Sequence, residues 1–101
     1  MTMKRKIFNQ YVDEVVKLFC ISKDDLFVKS KRRNLVDARY TLYYLCSTRP
    51  MRLKYITQFM LDNGYDIAHN NIMHGIKCMQ EKVNEDNDYK LIIKRLELCV
   101  A

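Results

Sequence analysis

The sequence predicts an all-α fold, a compact bundle of about five to six helices that contains a helix-turn-helix. Three observations predict it. Two glycines and one proline in 101 residues are too few turn formers for a sandwich or a barrel. Hydrophobic residues make up 49% of the chain and charged residues 30%, enough apolar surface to fold around and not the profile of a disordered tail. Apolar residues also recur at paired three- and four-residue spacings in one segment after another, as on one buried face of a helix. A chain of this length is expected to form one domain, 1–101, with a single modest core.

Each element has its own reason. Ile7, Phe8, Tyr11, Val12, Val15, Val16 and Phe19 predict a first helix over about 7–19. Ser22, with Asp25 three residues later, reads as a helix cap that turns Leu26 and Phe27 onto the core. Residues 28–34 break the pattern and form a basic loop, with Asn34 capping a helix over about 35–46 whose stripe is Leu35, Ala38, Leu42 and Leu45. Pro50 suits the first turn of the next helix, about 51–62, which buries Leu53, Ile56, Phe59 and Met60. Asn63-Gly64 ends it, because glycine takes the left-handed cap conformation without strain. After a turn at Tyr65-Asp66-Ile67-Ala68, Ile72, Gly75, Ile76, Met79 and Val83 form the inner face of a helix over about 69–83. The acidic break Glu85 to Asp88 precedes a last helix, about 88–98, packing Tyr89, Ile92, Leu96 and Cys99. Met51, Met60, Met73 and Met79 read as core filler.

Charge narrows the partners. The net charge is +6, and it is unevenly spread: residues through Tyr55 carry 13 Lys/Arg against 5 Asp/Glu, the remainder 5 against 7. The basic half carries the field that an anionic partner would feel. The four cysteines contain no Cys-x-x-Cys pair, so a zinc knuckle has no support, and each sits in or beside an apolar stretch where a free thiol is a small hydrophobe. A reducing cytoplasm is expected. No apolar run approaches the ~20 residues that span a bilayer, and the basic start lacks the long apolar segment of a signal peptide.

The helix-turn-helix expected over about 51–83 is the feature that points to a partner. Its second helix can lie in the major groove of duplex DNA, whose width admits one α-helix. On a helical wheel Asn70, His74 and Lys77 point away from Ile72 and Ile76, with His69, Asn71 and Met73 beside them. These side chains offer donors and acceptors for base edges and a cation for guanine or phosphate, and no acid joins them until Glu81. Lys29, Lys31, Arg32 and Arg33 form a basic cluster in the loop, where an arginine could enter the narrow minor groove. Arg49, Arg52 and Lys54, at the start of the first helix of the pair, are placed to hold phosphates.

These residues carry a family resemblance over nearly the whole chain. Val15 to Leu26, Lys29-Ser30-Lys31-Arg32-Arg33-Asn34-Leu35-Val36-Asp37-Ala38-Arg39, Tyr43-Tyr44-Leu45 and Leu53-Lys54-Tyr55-Ile56 resemble the C-terminal DNA-binding domain of the bacterial replication initiator DnaA. His69-Asn70-Asn71-Ile72-Met73-His74-Gly75-Ile76 is similar to that family's signature His-Thr-Thr-Val-x-His-Ala-x, with both histidines at the signature spacing. The resemblance implies that Arg33 is a minor-groove arginine and that Arg39 and Lys54 lie near phosphates. It implies that His69, Asn70, Asn71 and His74 face bases or the groove wall, with Lys77 further along the helix. The departures lie on the reading surface: asparagines replace both threonines, Asp66-Ile67-Ala68 replaces a Gly-Gly-Arg-Asp-like run, and the turn is longer. The family's usual nonamer target is therefore not implied. The family's ATPase module is not in this sequence, so DNA binding without ATP-driven helicase loading is expected, as in a stand-alone phage or mobile-element protein.

Other chemistry has little support in these residues. His69 and His74 are five residues apart, on different helical faces, whereas a zinc pair needs the same face. No Gly-rich phosphate loop, no nucleophile with a nearby base and no framed carboxylate pair occurs, so neither an enzyme nor a cofactor or small-molecule substrate is expected. The tyrosines Tyr40, Tyr43 and Tyr44 could stack on single-stranded bases, but their helical spacing favours core packing. The rival in a different class is a helical protein-interaction module, phage-derived or structural, with only generic affinity for DNA.

Overall fold

A computed structural model of the chain describes residues 3–100. It is all-helical among those residues: α1 (Met3–Phe19), α2 (Lys23–Leu26), α3 (Arg33–Thr48), α4 (Leu53–Asp62), α5 (His69–Glu85) and α6 (Asn87–Cys99). The α1 face made by Phe8, Tyr11, Val12 and Val15 is completely buried. Each such side chain contributes roughly 1.5–3 kcal/mol relative to exposure. Helix α3 is the central element. It packs most extensively on α5, next on α1, and also on α2 and α4.

Local signals set several boundaries where they were expected. Ser22 caps α2 as a full capping box: Asp25 N donates to Ser22 Oγ at 3.0 Å, and Ser22 N to Asp25 Oδ2 at 3.5 Å. Gly64 follows α4 with φ +86°, the left-handed conformation that glycine adopts freely. The Asp86 side chain accepts from Asp88 N at 2.9 Å and opens α6.

Other boundaries and burials depart from expectation. Helix α1 begins at Met3, four residues being added to the expected start at Ile7. Helix α3 begins at Arg33 with Arg32 as N-cap and no side-chain cap bond, so Asn34 is not the cap. Instead Arg33 reaches Asp37 one turn on, Nε to Oδ2 at 3.6 Å. Pro50 lies in a turn ahead of α4, which starts only at Leu53. Met51 is buried there, its N–H donating to Cys46 O at 2.8 Å, and this holds the chain out of helix for one more turn. On α6 the inward residues are Ile93 and Leu96; Tyr89 and Ile92 are half-buried and Cys99 is exposed. Cys20 is also exposed, so of the four thiols only Cys46 is fully buried as a small hydrophobe. Met51, Met60 and Met79 fill the core, but Met73 is 55% exposed.

Candidate nucleic-acid interface

Helices α4 and α5 pack together and are joined by the turn over 63–68, giving a helix-turn-helix arrangement in sequence and contact. Helix α5 is held against α3 at Gly75. A Cβ added there would lie 2.6 Å from Tyr40 Cδ1 and 3.0 Å from Tyr43 Cδ2, so only glycine allows this approach without displacing a ring. Lys82 of α5 also reaches Asp37 of α3, Nζ to Oδ1 at 3.2 Å. His69, Asn70, Asn71, His74 and Lys77 of α5 are all exposed, Asn70 and Lys77 on the side away from Gly75 and Asn71 one turn before it on the same side.

The basic loop is shaped from beneath by Arg39. Its guanidinium donates to the carbonyls of Leu26 at 3.4 Å, Val28 at 3.0 Å and Ser30 at 2.5 Å, and the residue is only 5% exposed. Arg39 is therefore not placed beside phosphates as expected. A planar fork of donors satisfies loop carbonyls that no helix or sheet partner meets. The sequence held the signal, because position 39 stands four residues after Leu35 and three before Leu42, on the buried stripe of α3. Tyr65 fills the space behind, its ring centroid 5.2 Å from the Arg39 guanidinium and 5.5 Å from Lys29 Nζ.

Two depressions flank α5. A cleft of about 660 Å³ lies between the basic loop and the helix; Lys29 and Lys31 border it from the loop, Asn71 and His74 from α5. A shallow groove of about 680 Å³ lies between the start of α4 and α5, bordered by Arg52, Leu53, Met73 and Lys77. The structure thus brings Lys31 to Asn71 and His74 across the first, and Arg52 to Lys77 across the second. His69 and Asn70 stand exposed in the first turn of α5, bordering neither.

The remaining expected residues are spread around this surface. Arg32 is exposed at the end of the loop and Arg33 opens α3, its side chain 85% exposed despite the contact with Asp37. Lys54 is exposed in the first turn of α4, 5.2 Å from the Tyr55 ring centroid. Lys4, which the sequence reading did not single out, shares that ring at 4.8 Å. Arg49 is turned to the C-terminal end, where Nη1 donates to Val100 O at 3.0 Å. His74 is itself positioned. Its ring lies edge-on to Tyr40 at 6.1 Å and its Nε2 is 3.5 Å from Cys78 Sγ.

The tyrosines divide by burial. Tyr43 and Tyr44 belong to the core at 1% and 8% exposure; Tyr43 still borders the cleft together with Tyr40, which is half-buried. The Tyr43 hydroxyl is buried without a hydrogen-bond partner, and burial pushes its ionisation above the ordinary tyrosine range.

Fold and surface together define a small all-helical domain with an exposed polar helix flanked by cations. No described helix is long and apolar enough to cross a membrane. No family model, curated protein or solved structure matches the chain.

Proposed function

We propose that this domain binds duplex DNA sequence-specifically, with α5 in the major groove and the basic loop at the neighbouring backbone and minor groove. One observation carries the reading: the exposed face of α5 runs between two basic edges, Lys31 on one side and Arg52 on the other. Asn70, His74 and Lys77 on that face supply base-edge chemistry, and the flanking cations supply the sequence-independent attraction. The resemblance to the DnaA C-terminal domain supports the same assignment and suggests a role in replication initiation or transcriptional control, in a bacterial or phage-infected cytoplasm. Selection from a random duplex library tests it, followed by titration of the winner against scrambled DNA at two salt concentrations. A recovered motif preferred over scrambled DNA at physiological salt is the expected result. Binding without preference, disappearing as salt rises, would reduce the basic half to a generic anionic contact.

A second reading rests on a specific feature. Exposed Met73, with Leu53 and Ile76, makes the groove beside α4 apolar at its centre, which suits a protein partner as well as a base. A helical interaction module would show little retention on heparin or duplex DNA, which separates the two.

A further inference from the structure

The cleft between the basic loop and α5 has a form that duplex binding does not require. A duplex engages exposed edges, whereas this is a concavity of about 660 Å³, within the range of small-ligand sites, roughly 300–1,000 Å³. Its walls differ in chemistry. On the loop side Lys29 and Lys31 present two exposed ammonium groups, with the buried Arg39 charge behind them. Toward α5 the wall is aromatic, formed by Tyr40 with His74 edge-on against it. Asn71, at the border, carries both an amide donor and an acceptor.

We infer that this cleft binds one nucleoside phosphate, its phosphate between Lys29 and Lys31, its base on the Tyr40 ring and its base edge read by Asn71. A bare phosphate would use the cations and leave the aromatic wall idle; an apolar ligand would do the reverse. Asp66, on the turn that borders the cleft, repels a phosphate from that side and accepts hydrogen bonds from a base amino group. The occupant is a single nucleotide and not a strand, because Tyr43 and Tyr65 also line the cleft but are buried, at 1% and 8% exposure, and leave half-buried Tyr40 as the stacking platform where strand binders use several. The same chemistry could come from a free mononucleotide or from an unpaired nucleotide in a nucleic acid. The inference goes beyond the duplex reading and does not depend on it.

The test is titration of the four nucleoside 5′-monophosphates into the isotope-labelled chain, followed by amide chemical shifts. Inorganic phosphate and the matching nucleosides are titrated alongside. The expected result is saturation at the loop, the 65–68 turn and Asn71, at least about tenfold tighter for a nucleotide than for phosphate or nucleoside alone. Lys29→Gln, on an exposed side chain, should weaken the nucleotide several-fold with the helical spectrum unchanged. Tyr40→Leu should bring nucleotide affinity down to that of phosphate. Equal affinity for nucleotide and inorganic phosphate, or full affinity in folded Lys29→Gln, overturns the inference. Should Tyr40→Leu fail to fold, those two comparisons still decide. A duplex carrying one bulged nucleotide, set against the fully paired duplex, then separates the sources. Preference for the bulge assigns an unpaired nucleotide, and binding of the free monophosphate with no bulge preference assigns the free ligand. The titration contains no duplex, so its failure leaves the duplex reading standing, and a failed duplex selection leaves this one.

Discussion

Arg39 and Tyr43 sit four residues apart on α3, and each is a polar side chain nearly lost to solvent, with opposite consequences. Arg39 answers three carbonyls, so Arg39→Met would take this partner from Leu26 O and Ser30 O and leave Val28 O with the Ser30 N–H alone, while filling much the same volume. The expected cost is about 2–4 kcal/mol, read from the urea unfolding midpoint; an unchanged midpoint would mean that water satisfies the carbonyls equally well. The Tyr43 hydroxyl answers nothing, so Tyr43→Phe should leave stability unchanged or raise it by up to about 1–2 kcal/mol at neutral pH. A loss would show that the hydroxyl has a partner in solution. On the α5 surface, His74→Ala should cost about 1–3 kcal/mol on the selected DNA site and little on random DNA, whereas Lys54→Ala should weaken both alike. Equal losses for His74→Ala on the two DNAs would remove it as a base reader.

Among the elements, the end of α1 carries the clearest local strain. Cys20 has φ +54° while Ile21 N donates back to Val16 O at 3.1 Å, a left-handed helix ending made with a residue that has a Cβ. Because Cys20 is exposed and its thiol makes only a long contact to Lys17 O at 3.8 Å, Cys20→Gly should stabilise the fold by up to about 1 kcal/mol. Thermal unfolding reads this, and a lower midpoint would show that the thiol contributes more than the strain costs. What the sequence made legible follows the same line between local and distant causes. The Ser22–Asp25 cap and the Gly64 ending rest on residues within a few positions of each other, and both were readable. The starts of α3 and α4 were not: α3 begins after Arg32 with no side-chain cap to mark it, and the start of α4 depends on Met51 being drawn into the core. The polar face of α5 was readable from its period of 3.6. The cleft beside it was not, since it exists only where a loop, a turn and two helices meet.

For the molecule as a whole, burial of acidic hydrogens sets the alkaline limit. Burial raises the ionisation of Tyr11, Tyr43 and Tyr44 above the ordinary value of 10.0 and that of Cys46 above 9.0. A group whose folded value is raised stabilises the fold fully below its unfolded value, and that stability is lost as pH rises through the folded one. Stability should therefore be flat through neutral pH and fall above about pH 9–10, less steeply in Tyr43→Phe, as measured by urea midpoints at successive pH. A curve identical in the variant would show that Tyr43 does not contribute to this fall. The Arg39 clamp has a further effect at this scale. Because one buried side chain holds the basic loop in shape, a genetic screen for lost DNA binding would recover position 39 as readily as a residue that touches the ligand. The two kinds of hit would separate on lowering the temperature, which refolds a destabilised scaffold and restores its binding but leaves the weakened affinity of a missing contact in place.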